Sequence, residues 1–281
     1  MEKSSEALLR GLAREDVGKG DATSEAVIPK CIELVAEVVA NRGGIAAGIE
    51  EACWLFKKSG ISATQKVKDG ARIQERARLV ELKGDARKIF AAERVALNII
   101  GRMGGIATMT AHAVEIARKE GSHAQIAATR KTILGRLDKK AVSLGGGWPH
   151  RLGLHDMILI KTGHLAVVGS ITRAVEAAKK KAGKMMVEIE VQNPEQAVEA
   201  ASAGADIIML DNFSHAGIEE ALRKLHAAGL RAKVKVELSG GITLEGLHEF
   251  ARHDADVISM GCLTHSAPWL DVNLRVRSFS R

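Results

Sequence analysis

From residue 123 onward, short apolar runs alternate with segments of helical periodicity. The runs HAQIAATR, DMILIKT, MMVEIEV, ADIIMLD, VKVELSG and DVISMG each close on polar residues or glycine. Between them SITRAVEAAKKKAG, PEQAVEAASAG, IEEALRKLHAAG and TLEGLHEFARH repeat apolar residues at helical spacing, with Pro194 placed to open a helix. Strands alternating with helices predict a parallel sheet. Six runs fall short of an eight-stranded barrel, which leaves an open doubly wound sheet or an incomplete barrel. The barrel is favoured by where the chemistry-capable residues fall, because parallel α/β folds bind ligands at the carboxyl ends of their strands. Arg130 and Lys131 close the first run, Lys161 the second, Glu190 lies near the end of the third and Asp211 closes the fourth. Ser239-Gly240-Gly241 and Gly261 follow the fifth and sixth.

The first hundred or so residues read differently, as α+β. CIELVAEVVANRGGIAAG at 31–48 suits a strand and turn, a helix candidate follows at 49–58, and Asp69-Gly70 separates two short β-like runs. Ile89, Ala92 and Leu97 then stand at helical spacing. Gly101, Gly104 and Gly105 predict a break before a second amphipathic stretch at 107–118, and with it a domain boundary near 105–120.

Composition narrows the function classes. Over 281 residues, 46% hydrophobic and 27% charged are globular values, and they exclude a disordered or collagen-like chain. The net charge of +7 points to anionic partners. Aromatic residues are only 3%, so the stacking platforms of single-strand nucleic-acid binders are missing and phosphorylated small molecules are favoured. No run reaches the roughly 18 apolar residues of a membrane helix, and the charged start MEKSSEALLR has no apolar signal core, so a cytoplasmic protein is expected. Cys31, Cys53 and Cys262 lack CxxC spacing and read as buried thiols.

TRKT at 129–132, His150-Arg151 and Lys161 gather cations at strand ends, where arginine forks match carboxylate or phosphate and lysine adds a point charge. Glu190 and Asp211 sit in apolar β-like runs, where a carboxylate needs a partner, and magnesium shared with substrate phosphates fits both. Taken singly, each could be an outward strand residue or a helix cap. The turns at Gly145-Gly146-Gly147, Ser239-Gly240-Gly241 and Gly261 offer backbone N–H groups to a phosphate, although ordinary tight turns also use glycine. No GxxxxGK[ST] or GxGxxG occurs. His150, His155 and His164 lack zinc spacing, and Cys262 has no placed base and reads as packing.

In order and spacing, EDVGKGDATSEAVI (15–28), ERVALNIIGRMGGIAT (93–108), TRKT, GGGWPHRLGLHDMILIK (145–161), VEIEV, GADIIMLDNF (204–213), ELSGGIT and SMGCLTHSAPWLDVNL (259–274) resemble the quinolinate phosphoribosyltransferase family over nearly the whole chain. The resemblance implies an α/β fold with an N-terminal α/β sandwich domain, 1–110, onto which a tail from about 270 to 281 packs back. An incomplete TIM-like α/β barrel of six to seven strands would occupy 111–270. It also implies a head-to-tail homodimer, with higher assembly open, and magnesium-dependent transfer of phosphoribose from phosphoribosyl pyrophosphate (PRPP) to quinolinate with decarboxylation. Arg130, His150 and Arg151 would grip the quinolinate carboxylates, joined by Arg94 of the neighbouring subunit. Lys131 and Lys161 would lie near both substrates. Glu190 and Asp211 would serve the ribose and Mg2+, and Ser239, Gly240, Gly241 and Gly261 would cradle the 5-phosphate.

The chain departs from the family pattern at three places. TRKTILG has Leu134 for a proline, predicting a more mobile loop after Lys131. KTGH puts Thr162 and Gly163 where the family has an acid and an amide, and Trp148-Pro149 resembles the molybdenum-transport-associated branch, although Lys161 is retained. These departures keep open a relative acting on another acceptor, such as a nicotinate-like acid. A basic nucleic-acid-binding protein, which the charge alone would suggest, predicts steeply salt-dependent binding. The expectation is no nucleic-acid partner and no membrane.

Overall fold

The computed structural model describes residues 2–280. The first part of the chain supplies three strands of one sheet, β1 (Glu33–Ala40), β2 (Ser62–Gln65) and β3 (Arg78–Asp85), and a separate short antiparallel pair, Gly44–Ile45 with Arg72–Ile73. Six follow the long helix Ala86–Lys119: β4 (Gln125–Ala128), β5 (Ile158–Ile160), β6 (Val187–Val191), β7 (Ile207–Asp211), β8 (Lys235–Ser239) and β9 (Val257–Met260). The last is β10 (Val272–Ser280). The chain forms two compact units. One comprises residues up to Ala111, Leu134–Gly146 and those from Ala267 on; the other is His112–Ile133 with Gly147–Ser266.

In the first unit an antiparallel sheet runs β10-β1-β3-β2. The tail strand pairs along all of β1, from Glu33 opposite Ser280 to Ala40 opposite Val272. Leu34, Ala36 and Val38 alternate along β1 and are buried with Phe56 of the helix Ile49–Lys58, which collects the apolar face of the sheet. That helix follows Gly48, which has no capping side chain, and the Asp69 carboxylate supplies the cap by accepting from the Ile49 N–H at 3.0 Å. Asp69 is therefore a helix cap supplied from 20 residues along the chain.

Two sequence expectations are corrected in this unit. Gly101, Gly104 and Gly105 do not break the helix, which is continuous from Ala86 to Lys119. They admit the segment Pro268–Leu270: a Cβ on Gly105 would lie 2.0 Å from the Pro268 carbonyl oxygen, one on Gly104 2.7 Å from Leu270 Cδ2. Leu270 N–H also donates to the Gly101 carbonyl at 2.8 Å. Close packing thus offsets the roughly 1 kcal/mol that each glycine costs a helix interior. The second correction concerns 134–146, expected within the barrel stretch 111–270. It clusters with the first unit, because buried Asp138 accepts both Arg102 Nε (2.8 Å) and Nη2 (2.6 Å), and Lys140 donates to Glu50 (2.7 Å) and Glu51 (2.8 Å).

The second unit holds a six-stranded parallel sheet ordered β4-β9-β8-β7-β6-β5. Each strand from β6 to β9 lies beside its predecessor and β4 pairs with β9, so the series follows a barrel whose ring stays open between β4 and β5. On the open side of β4, Trp148 adds a single bridge: its N–H donates to Ile126 O at 2.8 Å and its carbonyl accepts from Ala128 N–H at 3.2 Å. Side-chain caps start the outer helices at Ser170, Asn193 and Ser214, and Pro194 takes the first helical position after Asn193. Of the three cysteines, Cys53 is buried, but Cys31 is exposed at φ 64° in the turn before β1, which corrects the expectation of uniformly buried thiols. Among the described residues no helix is long and apolar enough to cross a membrane.

Candidate active site

Paired residues of a parallel ladder share a face, and side chains two apart along a strand share it too. Leu159 pairs with Glu188, Glu190 with Met209, Met209 with Glu237, and Asp211 with Ser239. One face of this sheet therefore carries Glu188, Glu190, Asp211, Glu237 and Ser239, with Lys161 two residues beyond Leu159. Val187, Ile189, Val236 and Leu238 point to the opposite, helix-covered side and are buried. The chemistry is thus concentrated on one face at the carboxyl ends.

Lys161 Nζ donates to Glu190 Oε1 at 2.9 Å across β5 and β6. Its backbone N–H is held by His164 Nδ1 at 2.8 Å, so KTGH begins the helix Thr162–Val168 rather than an open loop. Arg151 is buried; burial and the nearby charge of Arg130 hold its guanidinium below its ordinary range, against the opposing pull of Glu188, Glu190 and Asp156. Arg130 and Lys131 are exposed after β4, and the Lys131 carbonyl accepts from Thr264 Oγ1 at 2.8 Å. A Cβ added to Gly261 would stand 3.6 Å from Lys131 Cδ, which places the loops after β4 and β9 side by side.

Beneath these cations lies a buried cluster. His150 Nε2 stands 3.1 Å from Glu237 Oε2 and 3.4 Å from Glu188 Oε2, and all three residues are buried. Nδ1 of the same ring accepts from the Arg151 N–H at 2.9 Å, which assigns the ring proton to Nε2, donating to Glu237. Burial, reinforced by the Glu237 carboxylate, pushes the Glu188 carboxyl up to about 9. Neither Glu188 oxygen has a hydrogen-bond partner within the protein. The three ligand-capable atoms lie within 4.8 Å of one another, but a metal-ligating imidazole donates from its second nitrogen, and this one accepts there. The cluster does not suit a metal. His155 and His164 belong to no ligand-spaced group among the described residues.

Backbone geometry shapes the far side of the site. Asn212, at φ 57° directly after β7, donates from Nδ2 to Asp211 Oδ2 at 2.8 Å, and its N–H bonds the Ser239 carbonyl at 2.8 Å. Gly240, at φ 107°, faces it so closely that a Cβ would sit 2.3 Å from Asn212 Oδ1. Ser239, Gly240 and Gly241 therefore bring bare backbone beside Asp211. Cys262 donates to the Ile242 carbonyl at 3.4 Å, and burial raises its thiol, consistent with packing rather than nucleophilic use. Arg94 is exposed on the helix Ala86–Lys119 in the first unit.

Residues 21–104 match the N-terminal domain of quinolinate phosphoribosyl transferase, and residues 106–275 match its C-terminal domain. This chain belongs to the quinolinate phosphoribosyl transferase family. It is 44% identical over 259 residues to a probable nicotinate-nucleotide pyrophosphorylase [carboxylating] of Archaeoglobus fulgidus, covering 92% of this chain and 98% of that one. Its Methanothermobacter thermautotrophicus counterpart is 40% identical over 273 residues, covering 96% and 98%. Among solved structures, the nicotinate-nucleotide pyrophosphorylase of Francisella tularensis superposes with a TM-score of 0.89 at 35% identity, covering 97% of this chain and 96% of that one. The expected α/β fold, a sheet domain with an incomplete barrel, is the one observed.

Of the sequence-derived residues, the structure brings Lys161 and Glu190 into contact, puts Arg130 near enough to Arg151 for their charges to interact, and places Asp211 and Ser239 side by side on neighbouring strands. His150 is also at the site, but both its nitrogens are engaged by the protein. Sequence reasoning missed Glu188, Glu237 and Asn212. The signal was available: Glu188 is two residues before Glu190, and Glu237 two before Ser239, so period-two counting puts each on the site face.

Proposed function

We propose that this chain transfers the phosphoribosyl group of PRPP to the ring nitrogen of quinolinate with release of pyrophosphate and CO2, giving nicotinate mononucleotide for de novo NAD biosynthesis. The observation that carries the reading is the convergence of Arg130, Lys131, Arg151 and Lys161 with Glu190 and Asp211 at one set of strand ends, in a chain of this family. Two arginine forks suit the two carboxylates of the acceptor. Arg94 of a second copy would complete that grip, which makes a homodimer part of the reading.

As the C–O bond to pyrophosphate breaks, positive charge develops on the ribose, and Glu190 and Asp211 favour it while the lysines balance the departing anion. The nitrogen lone pair forms the new bond to the anomeric carbon. The ring, now cationic, takes up the electron pair released when the 2-carboxylate leaves as CO2, and a proton replaces it on carbon. Most of the rate is then positioning of two polyanions. Glu190 and Asp211 offer carboxylate oxygens on neighbouring strands, the donor chemistry of a hard cation, and fit Mg2+ held jointly with PRPP phosphates. When bound, Mg2+ would supply charge neutralisation for pyrophosphate.

The test is an assay of the purified protein with quinolinate, PRPP and Mg2+ that follows nicotinate mononucleotide and CO2 together. Equal amounts of both are expected, with loss on Arg130→Ala and Lys131→Ala and on chelation of the metal. Neither product from folded protein would refute the reading.

A further inference from the structure

The segment that carries Arg151 is held at two points. Trp148 is bonded to β4 on both sides of its peptide, at 2.8 and 3.2 Å. Two residues later His150 adopts φ 55°, a left-handed conformation that is unfavourable for a non-glycine residue and persists only where the surroundings enforce it. The enforcement is visible in its ring, which lies 4.5 Å from the Trp148 ring, centroid to centroid. Nε2–H reaches Glu237 Oε2 and Nδ1 receives the N–H of Arg151.

Glu237 is a rigid anchor. It is fully buried and sits in the middle of β8, which has a neighbour on each side. A carboxylate here is unexpected on electrostatic grounds, because it lies below the cations that receive an anionic acid and opposes binding of that acid. Its hydrogen bond explains its presence better than its charge does. Through the imidazole, the strand fixes the backbone from which the Arg151 guanidinium projects.

We propose that Glu237 is a positioning residue for the acceptor acid, acting through His150 to set the backbone, and so the aim, of Arg151. The acceptor half of this statement rests on the proposed function. Neither Glu237 nor His150 needs to touch substrate. The relay predicts that loss of the acceptor atom on residue 237 weakens the grip on the dianionic ring acid and leaves PRPP binding alone.

The test compares Glu237→Leu and Glu237→Gln with the parent, measuring kcat and KM for each substrate. A buried hydrogen-bond partner left unpaired costs about 1–3 kcal/mol, so Glu237→Leu should raise the quinolinate KM roughly 5- to 150-fold. Its PRPP KM should stay within about twofold of the parent. Glu237→Gln keeps an acceptor oxygen and should bring the quinolinate KM back to within about threefold. An unchanged quinolinate KM in Glu237→Leu, or equal rises in both KM values, overturns the relay in favour of plain packing. Failure of Glu237→Gln to rescue overturns the hydrogen-bond basis. Should Glu237→Leu not fold, nitrogen-15 NMR of the His150 ring in the parent and in Glu237→Gln decides without substrate: an Nε2–H tautomer in both is expected, and an Nδ1–H tautomer in the parent overturns the relay. A parent that shows the Nε2–H tautomer yet does not turn over quinolinate overturns the substrate reading instead.

Discussion

Replacing Glu188 by glutamine should make the protein more stable at neutral pH. Glu188 is fully buried, and burial, reinforced by the Glu237 carboxylate, moves its carboxyl to about 9 from an ordinary 4.5. Between those two values the native state keeps the proton that the unfolded chain has released. The stability associated with this group is therefore complete below pH 4.5 and is lost as pH rises toward about 9, at about 1.4 kcal/mol per pH unit. By pH 7 the accumulated loss is about 3 kcal/mol. Glutamine has the shape of the protonated acid and no proton to lose, so Glu188→Gln should exceed the parent by about that amount at pH 7. The gap should widen at pH 8 and close on approach to pH 4.5. Urea unfolding of both proteins across this range reads the difference directly. A gap independent of pH, or a variant less stable than the parent at pH 8, would refute the assignment of a protonated buried acid to this position.

Arg102→Met strips the bidentate partner from fully buried Asp138 and should cost about 3–5 kcal/mol, read as a lower thermal midpoint. Gly105→Ala places a methyl 2.0 Å from the Pro268 carbonyl, too close for contact, and should lower stability by a few kcal/mol, about 1–3 of it from overpacking alone. Calorimetry checks it, and an unchanged midpoint would mean that Pro268–Leu270 does not lie on the helix. Lys161→Met removes a half-exposed ion pair and should change stability by less than about 1 kcal/mol. The same variant should lower turnover of quinolinate and PRPP by about 100-fold or more, because it removes a charge from the reacting centre, and steady-state kinetics beside a melting curve separates the two effects.

The parallel half of the fold was legible because its signals are local and repeated. Six apolar runs became six strands, and Pro194 opened a helix as its ring geometry allows. The two misreadings of chain organisation depended on partners distant in sequence. Gly101, Gly104 and Gly105 looked like breakers because their compensation comes from Pro268–Leu270, more than 160 residues away. Residues 134–146 were assigned by chain order, whereas Asp138 and Lys140 belong with Arg102, Glu50 and Glu51. No window of sequence contains those pairings.

The site shows the same division. Lysines and arginines at strand ends announce themselves only as a set, since one exposed cation is ordinarily a solvated surface residue and several closing successive apolar runs are not. Glu188 and Glu237 do not, although they are the costlier residues: each is fully buried, and the Glu237 carboxylate adds to the burial that keeps Glu188 protonated. A buried acid under a cluster of cations looks wasteful when only the binding of an anion is considered. It becomes intelligible when the cations themselves must be held apart and aimed, because Arg130 and Arg151 repel one another and the loop that bears Arg151 is held in a conformation it would not choose. Glu190 and Asp156 offset part of that repulsion, and the Glu237 carboxylate, through the imidazole, holds the backbone that bears Arg151. Anion affinity at the rim and carboxylates beneath it are then two parts of one arrangement, and the second sets the direction of the first.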